Sequence, residues 1–270
     1  MHRVEALFGE QVSEQIRRHH ARRLKRIGWE HALDPPPGLW AGGGPIVRTG
    51  NAVDVLIDGF EALPLMAEAI RGATSHVHIT GFFFTPAFAL ERDGPPVVLR
   101  NLLAEVAERA DVRVLAWAGA PLPLFRPSRF SVRAMRDALT ADNKIRCELD
   151  ARERPLHCHH AKTIVVDDEV AFVGGIDLTS ESGDRFDTSM HPSRADVGWH
   201  DAAVRLRGPV VTDVADHFRL RWHEVTGEVL PAAAAPPEPV PGGVEAQIVR
   251  TIPEKIYEAV PRGDIRILES

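Results

Sequence analysis

Short apolar runs alternate with segments of helical period from Gly50 to Leu149, and this alternation limits the available folds more than any other feature. Val53–Ile57, His76–Phe84, Val112–Trp117 and Ile145–Leu149 have the length and residue types of buried strands. Between them, Ala62–Arg71 carries Leu65, Met66, Ala69 and Ile70 at helical spacing, and Val97–Ala110 and Ser128–Thr140 also read as helices. Asp58-Gly59 reads as a turn. Strands separated by helices of this length pair in parallel, which predicts an α/β sandwich. The period then changes. Lys162–Asp167, Val170–Val173 and Asp201–Leu206 are strands with short connections, which predicts antiparallel pairing in this half. Val210–Val225 closes the unit as a helix, with Val211, Val214, Phe218, Trp222 and Val225 on one face, and Trp222 is expected in the core. The expected fold is a central mixed β-sheet flanked by helices on both faces.

The flanks read differently. Residues 1–33 have a helical stripe of Leu7, Phe8, Val12, Ile16, Leu24 and Ile27, with Arg17, Arg18, Arg22, Arg23, Lys25 and Arg26 around it. We read it as a solvated helix on the domain; a basic amphipathic helix lying on an anionic membrane is the alternative. Pro35–Gly38 and Gly42–Pro45 mark a loop, and residues 230–243 are a Pro/Ala-rich linker. The expected division is an arm over 1–49, a domain over 50–229, the linker, and the opening of a further unit over 244–270. That last part has strand-like runs at Ala246–Arg250 and Ile265–Glu269.

With 44% hydrophobic and 26% charged residues, the 270-residue chain has the balance of a globular protein. Its 32 Lys+Arg against 38 Asp+Glu give −6, so no global positive field points to nucleic acid. Cys147 and Cys158 alone, with no CxxC, weigh against a disulfide scaffold or zinc ribbon. No run reaches about 18 uninterrupted apolar residues, and no apolar leader opens the sequence. A cytoplasmic protein is expected, with peripheral membrane contact as the variant.

The chemistry is concentrated after His157. His160, Lys162 and Asp167 satisfy H-x-K-x4-D, and Gly174-Gly175 follow. Side chains two apart on a strand share a face, so His160 and Lys162 point the same way. An imidazole beside an ammonium suits a phosphate ester: the ammonium neutralises phosphoryl oxygens while the imidazole attacks phosphorus or moves a proton. Gly174-Gly175 would let backbone approach a phosphate. Asp167, seven residues beyond His160, falls on the opposite face of a straight strand, and with Asp168-Glu169 it fits a hairpin turn; its expected role is supporting. An imidazole nucleophile needs an acid to orient it. Asp201 is the preferred candidate, with Asp177, Asp187 and Asp196 as competitors.

This segment resembles the HKD motif of the phospholipase D superfamily, matched by His160, Lys162, Asp167, Gly174, Gly175 and Asp177. Supporting blocks resemble the lipid-acting branch with two motifs per chain: Gly50-Asn51, Leu56–Gly59, Trp199-His200-Asp201, Gly208-Pro209, and Phe218 with Arg221-Trp222. Val249–Pro253 resembles the segment that opens the second half of such proteins, so the chain reads as an N-terminal half. The resemblance implies a phospholipase D-like sandwich and cofactor-free, metal-independent phosphodiester chemistry through a phosphohistidine. It makes His160 the nucleophile and Lys162 the phosphate clamp, with Gly174, Gly175 and Asp177 at the phosphate. Asp177 stands where many members carry Asn, although some carry Asp. A second motif supplies the general acid, yet no other H-x-K occurs, and His78–Thr80 and His20–Arg22 are no substitute. Either a homodimer or a longer chain would complete the site.

Other readings compete with this one. The cluster His157, Cys158, His159 and His160 suggests a metal, but H-x-H-x-D-H hydrolases need Asp where Ala161 stands and His where Lys162 stands. His157 and His159 read as cleft lining or surface. A cardiolipin synthase-like phosphatidyltransferase, a homodimeric nuclease and an inactive half-module are the alternatives to phospholipid hydrolysis. Net charge weighs against the nuclease, and intact His160 and Lys162 weigh against lost activity. Phe82, Phe83, Phe84 and Trp117 would line an acyl groove or, more commonly, pack in the core.

Overall fold

The structure is a computed structural model that describes residues 14–15, 17–19, 21–22, 25–26, 40–41, 46–91, 94–122, 125–152, 158–181, 200–253, 255–261 and 264–265. The described positions between 14 and 26 are helical and exposed. The apolar stripe from Leu7 to Ile27, the loops at 35–38 and 42–45, and His157, Asp187, Asp196 and Trp199 lie outside the described residues.

Eight strands form one mixed sheet: β1 (Arg48–Ile57), β2 (His76–Gly81), β5 (Asp111–Trp117), β6 (Arg146–Asp150), β7 (Lys162–Val166), β8 (Val170–Gly174), β9 (Ala202–Arg207) and β10 (Val244–Ala246). Their order is β10-β1-β9-β8-β7-β2-β5-β6. The β2–β5 and β5–β6 pairs are parallel, and the remainder are antiparallel. Small two-stranded pairs join β3 (Ala89–Glu91) to β4 (Val97–Val98) and β11 (Thr251–Ile252) to β12 (Asp264–Ile265). Beyond the helical positions between 14 and 26, the helices among the described residues are α1 (Asp58–Arg71), α2 (Leu99–Val106), α3 (Arg129–Thr140) and α4 (Val211–Thr226).

Strand parity sorts the core into two layers. Val77 and Ile79 of β2, Val112 and Val114 of β5, and Ile164 and Val166 of β7 pack against Leu63, Met66, Leu103, Val132 and Leu139 of α1, α2 and α3. The intervening residues face α4: Val165, Ala171 and Leu206 meet Val211, Val214 and Ala215, and Leu115 meets Phe218 and Trp222. Burial on both faces explains why these strands read as unbroken apolar runs. Trp222 is fully buried, as expected.

Several boundaries differ from the sequence reading. Asp58-Gly59 is not a separate turn: Asp58 takes φ 61° and α1 begins there, straight from β1. The strand at His76 stops at Gly81 because the chain folds back and lays the Phe84 ring over Gly81, where a Cβ would clash. Val97-Val98 belong to the small hairpin, so α2 starts at Leu99 and ends at Val106. The run Ala246–Arg250 is not a strand beyond Ala246; β10 covers Val244–Ala246 and extends the edge at β1. Residues 230–243 form neither helix nor strand, and Val240 donates to the Gly50 carbonyl at 2.8 Å.

The supporting blocks tie β1 to its neighbours. Buried Asn51 donates to the carbonyls of Arg48 (2.7 Å) and Val244 (3.1 Å) and accepts from the Val210 amide (2.8 Å). Gly208, at φ 94°, lies against the Gly50 carbonyl with no room for a Cβ. Asp58 is fully buried; its carboxylate accepts from the Asp201 amide (2.8 Å) and contacts His200 Nδ1 (2.9 Å).

Candidate active site

The C-terminal ends of β1, β2, β5, β6 and β8 and the N-terminal ends of β7 and β9 meet at one end of the sheet. His160 sits there, two residues before Lys162, the first residue of β7. Thr80 fixes this start: its Oγ1 accepts from the Thr163 amide at 3.2 Å and lies 2.7 Å from Thr163 Oγ1. Lys162 pairs in register with Gly174, and Asp201 directly precedes β9, so the structure brings His160, Lys162, Gly174, Gly175, Asp177 and Asp201 to this end.

The Lys162 ammonium is buried against protein acceptors, 3.0 Å from Asp177 Oδ2 and 3.1 Å from the His160 carbonyl. The Phe82 ring centroid lies 5.6 Å away. An ammonium has three donors, so one N–H is left for a phosphoryl oxygen. Asp177 also accepts from the Phe82 amide (3.2 Å), which fixes it behind the ammonium. A carboxylate repels a phosphodiester, and the contact that Asp177 makes here is with the Lys162 ammonium. At Gly174 and Gly175 the space a Cβ would occupy is taken by the β9 backbone and by the Asp201 carboxylate. The double glycine thus lets Asp201 close over the end of β8.

The His160 side chain is exposed, and its ring lies 5.2 Å from that of Phe82. Partial burial and then the Lys162 ammonium hold its pKa below the usual histidine value, against the pull of Asp177 and Asp201. Among the described residues neither ring nitrogen of His160 has a hydrogen-bond partner, Asp201 included. Phe82 stacks on Trp117 at 4.8 Å, whereas Phe84 is in the core and Phe83 packs against it. Of the three phenylalanines, only Phe82 reaches the site.

Asp167 stands apart from this group. It lies at the far end of β7 in the turn to β8, at φ 54°, and accepts from Thr74 N (2.8 Å), Thr74 Oγ1 (2.9 Å), Ser75 N (2.8 Å) and His76 N (2.8 Å). Burial pushes its carboxyl up, but the backbone donors outweigh this and leave its pKa below the usual aspartate value. A depressed pKa means stability present above the ordinary value and lost as pH falls through the lowered one. Asp167→Ala is therefore expected to cost about 1–2 kcal/mol near neutral pH and less in acid, with the chemical step unchanged. Urea unfolding at two pH values, beside a rate assay, checks this.

Sequence reasoning missed a network beneath the site. Asp150, fully buried at the end of β6, has Oδ2 2.8 Å from His159 Nε2 and 3.1 Å from Arg221 Nη2, and its Oδ1 accepts from the Arg152 amide at 2.9 Å. The Tyr257 hydroxyl lies 3.0 Å from His159 Nε2, donates to Asp150 (3.3 Å) and accepts from Arg221 Nε (3.2 Å). His159 is thus no plain surface residue: it anchors the backbone immediately before His160. A cavity of about 610 Å³ opens beside it, lined by His159, His160, Arg152, His217 and the segment Ile248–Pro253. The only sequence hint was the Arg221-Trp222 block.

No family model matches the chain. It is 28% identical over 216 residues to phospholipase D B of Dictyostelium discoideum, covering 66% of this chain and 18% of that protein. It is 26% identical over 212 residues to a Bacillus subtilis protein named "Probable cardiolipin synthase YwiE", covering 77% of this chain and 39% of that one. The matched region thus spans about a fifth to two fifths of these relatives. A solved structure, the phospholipase D family member Nuc from Salmonella typhimurium, aligns with a TM-score of 0.42 and 16% identity over 64% of this chain and 95% of its own. These curated relatives are a phospholipase D and a probable cardiolipin synthase, and together with the H-x-K-x4-D spacing and double glycine of this chain they support the phospholipase D superfamily.

Proposed function

We propose that the chain carries one half of a phosphodiesterase site for phospholipids, with His160 as nucleophile and Lys162 as phosphate clamp. The observation that carries this reading is the buried ammonium of Lys162, held by Asp177 and the His160 carbonyl with one donor to spare, beside an imidazole poised in its neutral form. A His160 nitrogen bonds to phosphorus as the bond from phosphorus to the leaving alcohol breaks. The alkoxide takes a proton from a general acid, and water then cleaves the phosphohistidine; an alcohol in place of water gives phosphatidyl transfer. The general acid and a second cation come from another His–Lys pair, in a further segment of polypeptide or in a second copy. Phospholipid is favoured over nucleic acid by the net charge of −6 and by the curated relatives, which include phospholipase D proteins.

Attack needs a neutral imidazole, so activity is lost as pH falls through the His160 pKa. That pKa is lowered, which predicts an acidic limb of kcat/KM below 6.5, the ordinary histidine value. The test is choline release from phosphatidylcholine across pH, with light scattering on the same fractions. An active dimer with a limb below that value supports the reading, and an inactive monomer assigns the second pair to further polypeptide. A dimer that turns over no phosphodiester contradicts it.

A further inference from the structure

Apolar side chains project into solvent at the same end of the sheet as His160. Leu122 and Phe125, in the connection leaving β5, are 45% and 50% exposed, and Phe130, in the first turn of α3, is 80% exposed. The base of this projection is pinned: the Ala120 amide donates to the Pro127 carbonyl at 2.9 Å, and the Ser128 hydroxyl caps α3 by accepting from the Ser131 amide at 3.1 Å. The exposure therefore belongs to the folded connection, and a cluster of large apolar tips in water marks a contact surface.

Charge indicates what it contacts. From Ala118 to Arg136 there is no Asp or Glu, in a chain whose net charge is −6. Arg126, Arg129 and Arg133 are exposed, and among the described residues none has an acidic partner. Exposed apolar tips interleaved in sequence with arginines that have no acidic partner among the described residues suit an anionic bilayer, whose headgroups pair with the arginines while its acyl region takes the rings. A second copy of this chain would bring like charges together.

We propose that Leu122, Phe125 and Phe130, with Arg126, Arg129 and Arg133, dock the chain on an anionic phospholipid surface and so present the His160 end of the sheet to lipid. This deepens the phospholipid reading given above and rests on it for its purpose, but binding is measured without turnover. The test is co-sedimentation of the full chain with vesicles of phosphatidylcholine alone or mixed with phosphatidylglycerol, at low and high salt. Binding to the mixed vesicles is expected, weakened by salt. Phe125→Ser with Phe130→Ser should weaken it about tenfold per ring. Arg126→Gln with Arg129→Gln should weaken it about fivefold per charge on mixed vesicles and leave phosphatidylcholine binding unchanged. Circular dichroism confirms that the variants fold, and their hydrolysis of a short-chain phosphodiester in solution should match the parent. Equal binding by parent and serine variant, or no binding by the parent, overturns the proposal. So does a parent dimer that the serine variant converts to monomer, which would make the patch a contact between copies. Failure of the phospholipid reading itself shows separately, as a parent dimer that binds vesicles but turns over no phosphodiester.

Discussion

His160→Ala should reduce phosphodiester turnover by at least about 10³-fold, with little change in substrate affinity. The ring is exposed and makes no hydrogen bond among the described residues, so its removal leaves the fold intact and acts on chemistry alone. Lys162→Ala should differ in kind. It removes the clamp and leaves Asp177, 8% exposed at its side chain, without its cation, so both KM and stability should suffer. Steady-state kinetics of the two variants beside their urea midpoints separate these effects. A His160→Ala variant within tenfold of the parent rate would remove His160 from the reaction.

Asp150→Ala is expected to be among the most destabilising single changes, at about 3–5 kcal/mol, because it strands a charge in the core. Arg221 is 1% exposed and, among the described residues, its Nη1 lacks a partner and without Asp150 its guanidinium keeps only the Tyr257 hydroxyl. Replacing both partners, Asp150→Leu with Arg221→Met, should cost less than the sum of the single changes. Burial pushes the Asp150 carboxyl up, but His159, Arg221 and the Arg152 amide together hold its pKa below the usual value, so this stabilisation persists at neutral pH and fades in acid. His159 directly precedes His160, so loss of Asp150 should also lower kcat beyond what unfolding explains. Rates measured well below the unfolding midpoint check that part, and an unchanged kcat would confine the network to stability.

The strands were legible because burial on both faces writes them as continuous apolar runs; β5 spans Asp111–Trp117 against the expected Val112–Trp117. The mixed pairing was legible from connection length. The early end of β2 was not, since it depends on Phe84 folding over Gly81, and the hairpin of β3 and β4 carries no periodic signal in two or three residues. In the site, the spacing set Asp167 at the far end of β7 from Lys162, whereas His160 precedes the strand and meets Lys162 through its backbone carbonyl, which period two does not describe. The spacing gave no sign that Asp177 would grip Lys162, that Asp201 would press on Gly175, or that Asp150 would meet Arg221, 71 residues away, and Tyr257, 107 away. Such contacts arise from the order β9-β8-β7-β2-β5-β6, which brings distant strand ends together, and no local pattern encodes that order.

The central claim is that His160 takes the phosphoryl group. The most direct test is to mix an active preparation with phosphorus-labelled phosphatidic ester, quench within one turnover under alkaline conditions that preserve phosphohistidine, and map the label by mass spectrometry. Label is expected on His160, absent after His160→Ala and discharged by water or added alcohol. Turnover in the parent with no label on His160, or with label on another residue, would contradict it.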